Sequence, residues 1–577
     1  MFSLTDRISH WVHAIYPDND ARWLENAIAE RIQAFRLRHP EKSVSHPLSQ
    51  LLTEKDAILI TYGDQFQRCG QPHLRTLIHF LDVHLHDVVQ GIHILPFFPY
   101  SSDDGFSVVD YLKVDATLGD WQDIQHLKQH GYQLMFDAVI NHISRESEWF
   151  QRFLRGDESY KNYFIVVDPG ADLSRVVRPR ALPLLTPVET NDGVKWVWTT
   201  FSEDQIDLNY ANPQVALEII DVLLFYIEQG ADIIRLDAIA FLWKEIGASC
   251  IHLPQTHAMV KLWRAIFDVV APDVLLITET NVPHQENVSY FGEYLPDTGK
   301  TDEAQLVYNF TLAPLTLHAF LSGNATKLSA WASTLSSPPG SLFFNFVASH
   351  DGIGVRPAEG ILSSSEIQAL VQRTLSHGGQ VAYRTDPEGK QSVYELNITL
   401  YDFLNHPDVS ELPVAVARFL ASQSILLALA GIPGIYVHSL FGSHSCHQCY
   451  QKTGSVRSLN REKFRVEQIE ALLRDEACHQ ALVFAGYKKL LEVRRAHKAF
   501  HPFGEQRILN LNPAVFAVLR SAPDNAERIL CLTNVSALKQ PLSLPRGRWR
   551  DLLGDSKEIS GDVFLPAYGV MWLSLGQ

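Results

Sequence analysis

The segment GADIIRLDAIAF, residues 230–241, does most to decide the fold. Its apolar run ends in two charged residues, Arg235 and Asp237, and a helix-like stretch follows. A near-continuous apolar run is typical of a strand that is covered on both faces, as the strands of a parallel sheet are. The segment therefore predicts a buried parallel strand with charged side chains at its carboxyl end.

Seven further β-rich runs of the same kind recur along the chain, and each is followed by a longer helix-like stretch. In chain order the eight runs are residues 58–64, 91–97, 134–142, 231–238, 273–280, 306–310, 342–351 and 434–437. Strands that alternate with helices form a parallel sheet, so eight of them predict an α/β protein with a (β/α)8 TIM barrel. In such barrels the reacting groups lie at the carboxyl ends of the strands.

Departures from this alternation predict three additional parts. Residues 1–56 are mostly polar and predict an N-terminal helical extension with one apolar stripe, formed by Trp23, Leu24, Ala27, Ile28 and Ile32. The long connection after the third run predicts an inserted small domain at about 143–205. Short alternating runs predict a C-terminal antiparallel β domain at 506–577, which leaves residues 57–505 for the catalytic barrel.

Composition and charge exclude several classes of protein. The 577 residues are 46% hydrophobic and carry 49 Lys and Arg against 65 Asp and Glu, a formal charge of −16. We therefore expect a large core and a surface that repels nucleic acid and anionic membranes. The apolar stretch at 419–440 is interrupted by polar residues and by a Gly-Ile-Pro-Gly turn, so it does not predict a membrane-spanning helix.

The N-terminus and the cysteines predict a cytoplasmic protein. The first residues lack the unbroken apolar core of a signal peptide, and six scattered cysteines fit a reduced chain better than a disulfide framework. Cys446 and Cys449 have the spacing of zinc ligands, but no second pair of comparable spacing exists. We therefore interpret this segment as a loop between barrel elements and expect no metal.

Carboxylates stand at the ends of four predicted strands, at Asp137, Asp237, Glu279 and Asp351. Taken singly, an acid at a strand end is more often a helix cap or a turn former. Four acids at one face of a barrel favour catalysis instead. Retaining glycosyl transfer needs two carboxylates at one cavity, an ionised nucleophile and a protonated general acid, and the sequence supplies such a pair.

Several segments carry a resemblance to a known family. DAVINH, GADIIRLDAIAF, ITET and FVASHDGIG resemble the four signature regions of the α-amylase superfamily (glycoside hydrolase family 13), in their usual order. GIHILPFFPYSSDDGFSVVDY, RPRALP and FSEDQIDLN resemble its sucrose phosphorylase subfamily in particular. The resemblance implies a retaining phosphorylase without a cofactor, which transfers a glucosyl group from an α-glucoside to phosphate and gives α-glucose 1-phosphate.

The resemblance also implies the role of each site residue. Asp237 is similar to the nucleophile, Glu279 to the general acid/base and Asp351 to the acid that stabilises the transition state. The positions that match the glucose pocket are Asp64, His93, Gln205, Arg235, His350 and Arg457. Arg235 should keep Asp237 ionised, because an adjacent cation lowers a carboxyl pKa.

Position 457 has an alternative, and two further residues match the phosphate site of the family. Arg461 lies one turn from Arg457 and is the alternative ligand at that position. Arg180 and Tyr394 match family residues that hold phosphate and the departing group. The expected partners are therefore small molecules only: the α-glucoside, inorganic phosphate and α-glucose 1-phosphate.

Two residues beside Tyr394 depart from the sucrose enzymes. Ser392 and Glu395 stand where that subfamily has an aspartate and a glutamine that hold fructose. The N-terminal extension and the YELNIT and ITETNVPH segments resemble the glucosylglycerate phosphorylases instead, so 2-O-α-glucosylglycerate is the favoured substrate. A cation should hold the glycerate carboxylate, either from the inserted domain or from the cluster Lys452, Arg457 and Arg461.

Other substrates and classes stay open at this point. The alternative substrates are sucrose, sucrose 6'-phosphate and glucosylglycerol, of which the last escapes repulsion by Glu395. A hydrolase on the same scaffold is disfavoured by Arg180 and Tyr394. A catalytically inactive binding barrel is disfavoured because Asp237 and Glu279 occur together with the third acid.

Overall fold

The computed structural model describes residues 4–180, 182–385, 391–408, 411–555 and 557–576. Its centre is a closed barrel of parallel strands, in which each strand pairs with its neighbours in chain order and the last closes against the first. The strands are β1 (Ile58–Thr61), β2 (Gly91–Ile94), β3 (Gln133–Ala138), β4 (Ile233–Leu236), β5 (Leu275–Thr278), β6 (Leu306–Asn309), β7 (Leu342–Asn345) and β8 (Ile432–Tyr436). The predicted TIM barrel is confirmed.

Two helices form the N-terminal extension, and one helix after each barrel strand except β5 forms the outer layer of the barrel. They are α1 (Leu4–Ile15), α2 (Asp18–Arg38), α3 (His73–His84), α4 (Trp121–Gln129), α5 (Pro213–Glu228), α6 (Pro254–Val270), α7 (Leu312–Ser322), α8 (Leu412–Ala428) and α9 (His479–Arg495). From α3 onward each follows a barrel strand, and only a short helix, His284–Val288, follows β5. Their starts follow local chemistry: Asn212 caps α5 by accepting a hydrogen bond from the Gln214 amide, and Pro213 takes the first helical position.

Large side chains fill the interior of the barrel. Phe344 of β7 is fully buried and packs across Gly434 of β8. A Cβ atom at Gly434 would lie 2.3 Å from the Phe344 ring. Glycine is therefore required in this strand, because the ring fills the space that a side chain would occupy.

The predicted runs find the strands but extend past their carboxyl ends. The third run continues to residue 142, whereas β3 ends at Ala138; the chain then forms a short strand, His142–Ser144, that pairs with Gln205–Asp207. The eighth run begins too late, because β8 starts at Ile432, two residues before Gly434. The apolar character persists past the strands because the loops that follow are themselves buried.

The insertion after β3 contains a hairpin of Leu185–Thr190 with Gly193–Trp198. Its Val167, Val176, Leu184 and Trp198 form a small core together with Cys250 from the connection after β4. A second excursion, after β7, contributes a three-stranded sheet of Ile353–Gly354, Gln391–Asn397 and Gln380–Thr385. Both excursions leave the barrel at its carboxyl edge, where barrels accept insertions.

The C-terminal part is antiparallel, as predicted. Its six-stranded sheet contains Glu505–Asn512, Val515–Ser521, Arg528–Asn534, Val570–Leu575, Trp549–Asp551 and Glu558–Ile559, in that spatial order, and a separate pair joins Gln540–Ser543 to Asp562–Leu565. The buried Trp572 indole donates to Ser424 of α8 at 3.1 Å. The sheet is thereby joined to the barrel through a buried polar contact.

The N-terminal helices pack on the outside of the barrel. Arg7 of α1 pairs with Asp268 of α6 at 3.1 Å, and the Tyr16 hydroxyl donates to the Tyr210 carbonyl at 2.8 Å. The buried face of α2 consists of Ala21, Leu24, Ile28 and Phe35. Trp23, expected in the apolar stripe, is instead 44% exposed. The buried residues Ala21, Leu24 and Ile28 are three and four positions apart, and Trp23 does not lie on the helix face that they form. The division of the chain at 56/57 and 505/506 stays a prediction.

The expectation of fully reduced cysteines is wrong at one place. Cys446 and Cys449 form a disulfide across the start of the helix His447–Thr453, where their Cα atoms lie 5.2 Å apart, within bridging distance. The other four cysteines are free. Across the described part of the chain, no cluster of His, Cys, Asp and Glu is arranged to hold a metal ion, and no helix is long and apolar enough to cross a bilayer.

Candidate active site

A pocket of about 810 Å³ opens at the carboxyl ends of the barrel strands. Eight of the predicted site residues line it: Arg180, Gln205, Asp237, Glu279, His350, Asp351, Tyr394 and Arg457. Three others, Asp64, His93 and Arg235, lie outside this lining. The wall also includes residues that the sequence did not single out, among them Asp103, Phe106, Phe201, Asn281 and Arg356.

Arg235 lies beneath the pocket and joins the acids of three strands. Its side chain is 2% exposed and donates to Asp137 of β3 and, at 2.7 Å, to Asp237. A second guanidinium nitrogen lies 4.0 Å from Glu279, which follows β5. Because β3, β4 and β5 are neighbours in the barrel, their register brings the three acids around one cation.

His93 supports this arrangement from β2. Its Nε2 atom lies 2.6 Å from Asp137, and neither side chain has exposed surface. Burial lowers the pKa of His93, so the ring is neutral and donates one hydrogen bond to the carboxylate. Burial raises the pKa of Asp137, but Arg235 and His93 outweigh it, and the acid stays ionised.

Glu279 has the environment of a general acid. The amide of Ala238 donates to its Oε2 atom at 3.1 Å. Burial, helped by the charges of Asp237 and Asp351, raises the pKa of Glu279 to about 7, against the opposing effect of Arg235. A carboxyl group with this pKa holds its proton near neutral pH and can give it up during reaction.

The pKa of Asp237 differs from the expectation. Burial raises the pKa of this carboxyl, and Arg235 reduces the shift without reversing it. Arg235 contacts Asp237 directly at 2.7 Å but reaches Glu279 only at 4.0 Å. The cation therefore favours ionised Asp237 over ionised Glu279, and a proton shared by the pair resides on Glu279.

A left-handed backbone turn follows Asp237. Ala238 has a φ of 49°, a conformation that costs a non-glycine residue energy and is concentrated at functional sites. This turn ends β4 and presents the Ala238 amide to Glu279. The strained residue thus fixes one candidate catalytic acid relative to the other.

Arg457 binds two acids at the opposite wall. It lies 2.6 Å from Asp351 and donates to Glu395 at 2.7 Å. Burial raises the pKa of Asp351, but Arg457, His350 and Arg461 outweigh it and hold the pKa below its ordinary value. Asp351 is therefore ionised near neutral pH.

The structure distinguishes the two arginines that the sequence left as alternatives. Arg457 lines the pocket, whereas Arg461 lies behind it. Arg461 donates to the His350 carbonyl at 2.8 Å and to Asp104 at 2.7 Å, and it is 5% exposed. Arg461 therefore braces the loop that carries His350 and does not face the cavity.

His350 and Gln205 are held in place by the same neighbour. The ring of His350 stacks on Phe106 at 4.9 Å, and burial lowers the pKa of His350 to about 3, so it is neutral. Gln205 donates to the Phe106 carbonyl at 3.0 Å. Both line the same pocket as Asp237.

Asp64 lies outside the pocket lining and is engaged with a lysine. Its carboxylate accepts from Lys463 at 2.6 Å, and the same ammonium lies 3.6 Å from the centre of the Tyr62 ring. The pair stands beside the loops after β1 and β8. Its expected role as a glucose ligand stays a prediction.

Arg180 and Tyr394 come from the two excursions, and both line the pocket. Arg180 donates to Asp103 at 3.2 Å and lies over the Phe201 ring. Burial raises the pKa of Asp103, but Arg180, Arg461 and Arg457 outweigh it and bring the pKa to about 2. One guanidinium nitrogen of Arg180 thus donates to Asp103, and the other N–H groups stay available as donors to a ligand in the cavity.

A closed barrel with acids after β4, β5 and β7 is the architecture of a glycoside-processing enzyme of the α-amylase type. Residues 75–350 match the model of the alpha-amylase catalytic domain. The chain belongs to the α-amylase family, and the resemblance found in the sequence is confirmed.

Relatives within this family are glycoside phosphorylases. The chain is 46% identical to a glucosylglycerate phosphorylase of Spirochaeta thermophila, over 99% of this chain and 98% of the relative. It is 52% identical to a glucosylglycerate phosphorylase of Allomeiothermus silvanus, over 86% and 89%. The crystal structure of sucrose 6F-phosphate phosphorylase from Thermoanaerobacter thermosaccharolyticum has a TM-score of 0.73 at 24% identity, covering 89% of this chain and 98% of that one, and shows the shared fold.

Proposed function

We propose that this protein is a retaining glycoside phosphorylase that converts 2-O-α-glucosylglycerate and phosphate to α-glucose 1-phosphate and glycerate. The observation that carries the proposal is the pair Asp237 and Glu279 on one guanidinium. Arg235 contacts Asp237 at 2.7 Å, while Glu279 has a pKa of about 7. An ionised nucleophile beside a protonated acid is what double displacement requires.

In the first half-reaction Asp237 attacks the anomeric carbon while Glu279 donates its proton to the glycosidic oxygen. The bond from carbon to that oxygen breaks, glycerate leaves, and a β-glucosyl ester forms on Asp237. Positive charge develops on the sugar ring in the transition state, and Asp351, held ionised by Arg457, stabilises it through the sugar hydroxyls.

In the second half-reaction an oxygen of phosphate attacks the same carbon and displaces Asp237. Glu279, now ionised, takes the phosphate proton, and two inversions leave the product with the α configuration. Arg180 and Tyr394 hold the phosphate, since a guanidinium with free donors suits a phosphate oxygen pair. This supply of phosphate contacts is what favours phosphorolysis over hydrolysis.

Glycerate as the departing group is supported by the relatives and by the loop that carries Tyr394. Two relatives at 46% and 52% identity bear the name glucosylglycerate phosphorylase. Glu395 was the objection, because its charge would repel a carboxylate. Burial raises the pKa of Glu395, and Arg457, 2.7 Å away and shared with Asp351, offsets part of its charge, so both effects weaken the objection.

The test is a comparison of acceptors with α-glucose 1-phosphate as donor, following release of phosphate. Glycerate, glycerol, fructose and fructose 6-phosphate are supplied at equal concentrations. We expect glycerate to give the highest kcat/KM. Equal or faster use of fructose would make the enzyme a sucrose phosphorylase, and faster use of glycerol a glucosylglycerol phosphorylase; cleavage of the glucoside without phosphate would make it a hydrolase.

We also propose a cytoplasmic location and activity without a metal. Four of the six cysteines are free, as is typical of a reducing compartment, although Cys446 and Cys449 form a disulfide. The buried Arg235 supplies positive charge beside the acids. Cell fractionation tests the location, and activity in the extracellular fraction would contradict it. An assay after dialysis against a chelator tests the metal-free activity, and loss of activity would contradict it.

A further inference from the structure

Arg356 is a pocket cation that the catalytic scheme does not use. It lies five residues after Asp351 and lines the same cavity. Strand pairing fixes its place: Gly354 is opposite Glu395, and the next amide, of Val355, donates to the Tyr394 carbonyl at 3.2 Å. Arg356 therefore stands beside Tyr394, on the side of the pocket where the departing group lies.

The backbone before Arg356 is held close to the pocket wall. A Cβ atom at Gly354 would lie 2.5 Å from the Asn281 side chain, so only glycine permits this approach. Asn281 follows β5 two residues after Glu279. The contact thus fixes the start of the Arg356 segment against the loop that carries the general acid.

Arg356 differs from the other cations of the pocket because, among the described residues, no carboxylate lies within salt-bridge distance of it; Glu359 and Glu286 act on it only from farther away. Arg457 is bound to Asp351 and Glu395, and Arg180 to Asp103. Among the described residues, none accepts a hydrogen bond from Arg356 or lies within salt-bridge distance of it, and its buried Nε atom is unsatisfied. Arg356 is partly buried, and a buried guanidinium nitrogen without a partner is costly unless a ligand supplies one.

The cations expected to hold glycerate are committed elsewhere or lie outside. Arg461 pairs with Asp104 at 2.7 Å behind the pocket, and Arg457 is shared by two acids. Lys452 is exposed on the helix His447–Thr453 and does not line the pocket. Among the described residues of the wall, Arg356 is therefore the arginine without a carboxylate in salt-bridge distance, whereas Arg180 and Arg457 each have one.

We propose that Arg356 binds the carboxylate of the departing glycerate and so determines the preference for an acidic over a neutral acceptor. The inference rests on the proposed function and deepens it. A guanidinium binds a carboxylate through two parallel hydrogen bonds, which a neutral polyol cannot provide. Glycerol differs from glycerate only in carrying a hydroxymethyl group in place of the carboxylate, so the pair of acceptors isolates this contact.

The experiment compares wild type, Arg356→Gln and Arg356→Lys in synthesis from α-glucose 1-phosphate with glycerate or glycerol. We expect Arg356→Gln to raise the KM for glycerate about 10- to 100-fold, the effect of losing hydrogen bonds to a charged group. The KM for glycerol should change little. The KM of Arg356→Lys for glycerate should lie between those of wild type and Arg356→Gln. Arg384→Gln is the matched control, because Arg384 is a neighbouring arginine that does not line the pocket.

Each outcome decides one of the two proposals. If wild type prefers glycerate and Arg356→Gln keeps that preference, the assignment of Arg356 is wrong while the proposed function stands. If wild type itself uses glycerol or fructose better, the proposed function falls and this inference falls with it.

The remaining arms guard against a general effect of the substitution. The KM for phosphate in phosphorolysis and the melting temperature are measured for every variant. An equal rise in KM for phosphate and glycerate would overturn the proposal in favour of an unselective anion contact. An equal loss of glycerate and glycerol transfer in Arg356→Lys would show a structural role and overturn it as well.

Discussion

Arg235 shows at the scale of one residue how the site separates two chemically identical groups. Both acids beside it are buried, and burial raises the pKa of each. The guanidinium is 2.7 Å from Asp237 and 4.0 Å from Glu279, and this difference decides which of them is ionised. Neither distance is visible in the sequence, although both acids are.

Substitution of Glu279 by Gln should lower kcat for glucosylglycerate about 10²- to 10⁴-fold, the usual contribution of a positioned general acid. Glutamine keeps the shape and the contact with the Ala238 amide but has no proton to give. The measurement is steady-state phosphorolysis. As a control, α-glucosyl fluoride should still glucosylate the variant quickly, because fluoride leaves without a proton; equal losses on both donors would exclude the acid role.

The rate of phosphorolysis should fall as the pH rises through about 7. Glu279 must be protonated to cleave the glycoside, and its pKa is about 7. The protonated fraction is full well below that pH and drops about tenfold per pH unit above it, and kcat/KM for the glucoside should follow. A profile that stays flat to pH 9 would contradict the assignment.

At the scale of elements, α1 is attached to α6 through buried charges. Asp268 is 3.1 Å from Arg7 and also accepts from Arg264 at 2.9 Å. The three side chains are at least nine-tenths buried, and among the described residues Asp268 is the carboxylate within salt-bridge distance of both cations. The extension is thus fixed to the barrel by a polar cluster as well as by its apolar face.

Asp268→Asn should destabilise the protein by about 3–5 kcal/mol, because it leaves two buried guanidinium groups without a counter-charge. Thermal unfolding should show a clearly lower melting temperature. The matched control is Asp221→Asn, which removes a partly exposed partner of Arg31 and should cost no more than about 1 kcal/mol. Similar melting temperatures for the two variants would contradict a buried role for the α1–α6 cluster.

At the scale of the whole molecule, the sequence predicts what depends on local pattern. Barrel strands are recognisable because they are buried on both faces, and the acids at their ends follow directly. Pairings between distant segments are not recognisable: Glu395 meets Arg457, 62 positions later, and Gly354 meets Asn281. The position of Arg356 in the pocket wall depends on such a pairing, and for that reason the sequence did not indicate it.

The sharing of Arg457 has an evolutionary consequence. One guanidinium serves Asp351, on the glucose side, and Glu395, on the loop that meets the departing group. A mutation at Glu395 that suits a new acceptor also removes one of the two partners of Arg457. The electrostatic field at Asp351 then changes, so the same mutation weakens glucose binding. Single substitutions in this loop are therefore poor starting points for redesign, and new acceptor preferences should arise through paired changes that include residue 457.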